Sequence, residues 1–210
     1  MAYDSLNAIS SRIWEEVQGG WIYDDERVNV KMIRDLVQVT RAEYIEQLAM
    51  SKMSIPAAFY QECCVDVKCG SVCEGSPVTE EYVDLPSLLG MSKPIKYLGT
   101  ADRKLSFDKR ETVEDFVSSL PFVSKPSPYY FLVDNNKAII KNKPIASLKK
   151  MIVVGLFADP LSCKECDLDS PYPVPSAGIL NAIEQNVLKR LAGFMIQRRI
   201  DKVHNANPDN

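Results

Sequence analysis

Along the first sixty residues, apolar positions recur at three- and four-residue steps. Leu6, Ile9, Ile13 and Val17 make one stripe after Asp4 and Ser5, both good N-cap types, and Gly19-Gly20 follows where such a helix would stop. Beyond the polar DDER turn, Asn29 is placed to cap a second, longer helix. There Ile33, Leu36, Val37, Thr40, Tyr44 and Leu48 share a face, while Lys31, Arg34, Asp35, Arg41 and Glu43 lie largely off it. The pattern predicts a helical hairpin over residues 1–54.

The period then shortens. Over residues 55–160, prolines at 56, 77, 86, 94, 121, 126, 128 and 144 punctuate short β-type runs: FYQECCVDVKC, PIKYLG, RKLSF, YYFLV, KAIIKN and KKMIVVGLF. In the first of these, Phe59, Cys63, Val65, Val67 and Cys69 alternate with Cys64, Asp66 and Lys68, as in a half-buried strand. YYFLVDNNKAIIKN reads as a hairpin, because Asp134, Asn135 and Asn136 tolerate the left-handed conformations of tight turns. One short helix is expected to interrupt the region, since Thr112 and Asp115 form a capping box ahead of Phe116, Val117 and Leu120.

Helical spacing returns near the C-terminus. Pro171, Pro173 and Pro175 hold the approach extended, Ser176 is a ready N-cap, and Leu180, Ile183, Val187, Leu191 and Phe194 form a stripe that must be buried. Residues 161–200 are therefore read as a proline-rich approach and a helix packed on the N-terminal pair, and residues 201–210 as a polar tail or docking arm. The expected fold class is α+β: a helical body built from both ends of the chain, with a mostly antiparallel β region between them.

Composition narrows the function. A chain of 210 residues with 46% hydrophobic and 25% charged residues can bury a real core. A net charge of −3 carries no footprint for gripping nucleic-acid phosphates. MAYDSLNAISSRIWEEV shows no secretory leader, and the longest apolar run, MIVVGLFA, is too short to span a bilayer, so the expectation is a soluble chain made in a reducing cytosol.

Six cysteines raise three possibilities: a metal site, a disulfide clamp, or a strand rich in small apolar residues. A reducing compartment disfavours the clamp. Cys69 and Cys73 with Cys163 and Cys166 would supply four thiolates to a structural zinc, giving a zinc-stabilised binding module as the alternative reading, while buried or incidental thiols are the favoured one.

Catalytic signatures are missing. The single histidine, His204, lies in the polar tail, which leaves no base for a serine or cysteine nucleophile elsewhere. Gly70 and Gly75 have P-loop spacing, but Ser76-Pro77 stands where Lys-Ser/Thr belongs. The carboxylate clusters Asp24-Asp25-Glu26, Glu80-Glu81 and Glu114-Asp115 read as solvated loops and helix starts. No catalytic or cofactor-binding residue is assigned, and a binding or assembly role follows by elimination.

The layout carries a resemblance. VKMIRDLVQVTRAEYIEQ, then FYQECCVDVKC, a β-rich middle, GLFADP and YPVPSAGILNAIEQNVLKRL resemble structural proteins of tailed bacteriophages, most of all the ring or head-tail connector proteins of crAss-like phages. The motifs involved are R-A-E-Y at 41–44, F-x-D-P at 157–160 and Y-P-x-P at 172–175. The resemblance implies a virion protein without catalytic activity, metal or cofactor. It further implies a ring, commonly of twelve copies, beneath the portal protein and beside a neighbouring ring or tail protein, with DNA passing only in transit; another tail or neck structural protein of the same virion is the alternative. Arg198, Arg199, Asp201, Lys202, His204, Asn205 and Asn207 are then the candidate partner-binding residues of a C-terminal arm.

Overall fold

The structure is a computed structural model that describes residues 4–20, 28–71, 79–110, 127–133, 136–143, 148–163 and 167–205. It divides into two units, one formed by Met1–Ile55 with Asp167–Asn210 and the other by Pro56–Cys166.

The first unit is helical. Helix α1 (Leu6–Gly20) starts where the Ser5 hydroxyl accepts from the Ala8 amide at 3.1 Å, and it buries Leu6, Ile9, Ile13 and Val17. Helix α2 (Val30–Met50) is capped by Asn29, whose side chain accepts from the Met32 amide at 2.8 Å. Helix α3 (Ala177–Asn205) packs against both and buries Leu180, Ile183, Val187 and Leu191. Its N-terminal turn closes on Ser176, whose carbonyl accepts from Leu180 N at 3.0 Å.

Two positions depart from the expected stripes. Arg41, expected on the polar face of α2, is fully buried, whereas Leu36 and Tyr44 are only half-buried. The proline-rich approach to α3 causes this, because it supplies a polar lining: the Arg41 Nε–H donates to the Pro173 carbonyl at 3.1 Å, and the guanidinium lies 5.9 Å from the centre of the Tyr172 ring. Phe194, expected within the α3 stripe, is 39% exposed. The same approach is strapped to the start of α1 by Tyr172 N to Asp4 O at 3.0 Å and Asn7 N to Leu168 O at 3.1 Å.

The second unit is a rolled seven-stranded sheet, ordered β3-β7-β1-β2-β6-β5-β4. The strands are β1 (Gln61–Ser71), β2 (Thr79–Asp84), β3 (Ile95–Gly99), β4 (Asp108–Lys109), β5 (Tyr129–Val133), β6 (Lys137–Lys141) and β7 (Lys150–Gly155). All neighbours are antiparallel except the short β4–β5 pair. Strand β1 changes partner along its length, pairing with β7 up to Asp66 and with β2 from Val67 onwards, which turns a corner.

A second corner lies at residues 105–110. Phe107 N donates to Leu98 O of β3 at 2.8 Å, and three residues later Arg110 N donates to Tyr130 O of β5 at 3.0 Å. One segment thus stitches together the two outermost long strands, and the sheet closes on itself around Cys63, Val65, Val83, Leu98, Phe107, Tyr130, Ala138, Ile140, Met151 and Val153.

The expected β5–β6 hairpin is present in the pairing of Tyr129 with Lys141 through Val133 with Lys137, although Asp134 and Asn135 lie outside the described residues. So does the expected helix after Thr112. TEEYVD, not expected as a strand, forms β2, and RKLSF, expected as one, forms a turn with Arg103 at φ 56° and only an isolated bridge at Ser106.

Candidate functional site

The thiols are placed differently from any single reading of the sequence. Cys63 on β1 and Cys163, just after the 3-10 turn Pro160–Ser162, are paired as a disulfide with their Cα atoms 5.4 Å apart. Both are 4% exposed and belong to the barrel core. The pairing arises because β7 runs antiparallel beside the first half of β1, with Val153 opposite Cys63, and the chain then turns back over that end. A separation of 100 residues hides this from the sequence, and the reading that disfavoured a disulfide is corrected by the pairing.

Cys69 does not join Cys163. It is exposed and lies six residues further along β1, roughly 20 Å from Cys63 at about 3.3 Å per strand residue. Tetrahedral zinc requires all its sulfurs within about 2.3 Å of one point. Cys73 and Cys166 lie outside the described residues. Cys64 is exposed on the outer face of β1. Among the described residues no group of three or more histidine, cysteine or acidic side chains is placed to hold a metal ion.

Of the acidic clusters, Glu80 and Glu81 stand on β2 rather than in a loop, where they form ion pairs with Lys141 and Lys143. Asp24-Asp25-Glu26 and Glu114-Asp115 lie outside the described residues. Arg198, Arg199, Asp201, Lys202, His204 and Asn205 all fall on the backbone of α3, which runs to Asn205, and Asn207 lies beyond the described residues.

The helical unit presents a more developed surface. A groove of about 340 Å³ between α2 and α3 is lined by Thr40, Glu43, Tyr44, Gln47, Asn186, Lys189 and Arg190. Arg190 and Glu43 form an ion pair across it. Large apolar side chains left exposed among the described residues are Val39 (48%), Met50 (83%), Met53 (56%) and Phe194, all in this unit. Val39 precedes Glu43 by one turn, Met50 follows Gln47 by one turn, and Phe194 follows Arg190 by one turn, so these three lie at helical spacing from residues that line the groove. Sequence reasoning passed over Val39, Met50 and Met53. The available signal was a large apolar residue at helix positions that fall outside the buried stripe.

Electrostatics elsewhere serve the fold. Arg12 of α1 holds Asp4 at 2.7 Å and Glu184 of α3 at 2.6 Å, tying both ends of the chain together. In the barrel, burial pushes the Tyr130 phenol up to about 12, with the Asp108 carboxylate adding to the shift.

Compared with known proteins, residues 8–210 match the family described as phage tail ring protein 2. No curated protein matches the chain.

Proposed function

From the premise that this chain belongs to the phage tail ring protein 2 family of crAss-like phages, and so is a virion ring structural protein, we propose that its ring lies in the head-tail connector. In this reading the ring sits beneath the portal, extends the DNA channel and joins capsid to tail, with about twelve copies related by cyclic symmetry. The observation that carries it is the surface of the helical unit. Its exposed Val39, Met50 and Phe194 each stand one helical turn from a residue that lines the polar groove, so apolar side chains and ion-pairing groups lie close together on a face that a neighbouring copy would cover. Ring contacts are heterologous, so this face meets a different face of the next copy.

A net charge of −3 suits a channel that lets DNA pass without holding it. Residues 201–210 are the arm in this reading, contacting the portal or the adjoining subunit, with Arg198 and Arg199 just ahead of it on α3.

Native mass spectrometry of the purified protein, followed by cryo-electron microscopy of the virion, tests the proposal. A closed ring of about a dozen copies next to the portal is the expected result. A ring found only at the distal tail would overturn the connector position while leaving the family assignment intact. Truncation after Ile200 is expected to abolish portal attachment without unfolding the barrel, and unchanged attachment would remove the arm from the reading.

A further inference from the structure

We propose that Cys63 and Cys163 form a redox-controlled clamp that shields the whole barrel unit from tension along the chain. The chain enters this unit at Pro56 and leaves it at Cys166, so the paired cysteines stand a few residues inside each crossing point. The bond closes a loop spanning a sequence separation of 100, which is nearly all of the unit.

The strand pairing explains why such a clamp matters. Gln61 is opposite Gly155, so the first residue of β1 and the last of β7 lie side by side at one end of an antiparallel pair. A pull on the two connections would load that end and open the ladder one hydrogen bond after another, because the strands are peeled rather than sheared. A covalent link at Cys63 carries the load past the ladder. Tension then runs from Pro56 to Cys63, across the sulfurs, and out through Cys163.

The chemistry is a two-electron thiol oxidation. Each thiol gives up one proton and one electron as the S–S bond forms, and a small-molecule disulfide accepts them, its own S–S bond breaking to give two thiols. A reducing cytosol keeps the pair as dithiol during assembly, and the released particle meets the oxidant, a sequence of compartments that rests on the virion reading above. Both sulfurs are buried in the core, so exchange with the oxidant waits on local opening of the chain around Cys163.

The test starts from reduced full-length protein incubated with oxidised glutathione. Alkylation under denaturing conditions followed by peptide mapping is expected to find Cys63 and Cys163 unlabelled and joined to each other. Optical-tweezer pulling from the chain termini is then expected to release about 340 Å less contour length from oxidised than from reduced protein, since 100 residues at about 3.4 Å each stay sequestered. The reduced protein is its own comparator, and Cys64→Ser with Cys69→Ser is expected to change neither readout. Six labelled cysteines, glutathione adducts at Cys64 and Cys69 alone, or equal contour lengths would each overturn the clamp. Because every readout concerns the single chain, a clamp that passes in a protein found away from the portal refutes the connector reading alone.

Discussion

Arg41 shows how a single side chain resists assignment from its neighbours in sequence. Helical spacing places it beside the apolar stripe of α2, and its charge argues for solvent, yet it is fully buried against Pro173 and Tyr172. Pro173 lies 132 residues further along the chain, where the proline-rich approach meets the helix. Arg41→Ala is expected to cost about 2–4 kcal/mol, from the cavity and the stranded Pro173 carbonyl, read as a lower urea midpoint. Tyr130 makes a second residue-scale prediction. Its phenol loses its proton near pH 10 in the unfolded chain but only at about 12 in the barrel, so between those values the folded state holds the extra proton. Its contribution is therefore complete below pH 10 and is lost as pH rises through about 12, a difference of about 3 kcal/mol by linkage. Tyr130→Phe should flatten the fall in stability over this range, measured by denaturant titration from pH 9 to 12. An unchanged slope would assign the fall to other groups.

At the scale of elements, helix starts were the most legible features. Ser5, Asn29 and Ser176 all cap as their residue types suggest, because capping is settled within one turn of backbone. Asn29→Ala is expected to cost about 1 kcal/mol, seen as a lower thermal midpoint. Strands were harder to read. TEEYVD carries charge on both faces, and its carboxylates are accommodated in a strand because Lys141, Lys143 and Lys68 form ion pairs with Glu80, Glu81 and Asp84. Closure at residues 105–110 was invisible, since it depends on backbone groups of Leu98, Gly99 and Tyr130 rather than on side-chain pattern. Gly99 is its weak point: a Cβ there would run into the Leu105 carbonyl and the Tyr97 ring. Gly99→Ala is expected to lower stability by about 1–3 kcal/mol and to speed hydrogen exchange at the Thr100 and Phe107 amides. Protection of both amides at the native level would show that the closure adapts.

For the whole molecule, the family establishes a ring protein, and the exposed helical surface suggests which part of the subunit meets its neighbour. Val39→Asp and Met50→Asp place charge on that surface without touching the buried stripes of α2. Each is expected to weaken ring assembly by tenfold or more while leaving the circular dichroism spectrum of the subunit unchanged, checked by light scattering across a concentration series. Full assembly of both variants would move the protomer contact to the barrel. The candidate site was only partly legible for a related reason. Lys189, Arg190, Glu43 and Gln47 are ordinary residues of exposed helix faces, and they become a groove only when α2 and α3 lie together.

Local pattern alone determined the α+β class, the three helices with their caps and inward stripes, the cysteine strand and the β5–β6 hairpin, because each depends on contacts within a few turns or between adjacent strands. The layout of its motifs also pointed to the phage ring family. Tertiary structure decided everything that required distant segments to meet: the burial of Arg41, the strand made from TEEYVD, the closure of the sheet and the union of Cys63 with Cys163. The physical reason is common to all four. A polar group or thiol takes its role from what surrounds it, and here those surroundings come from parts of the chain far away in sequence.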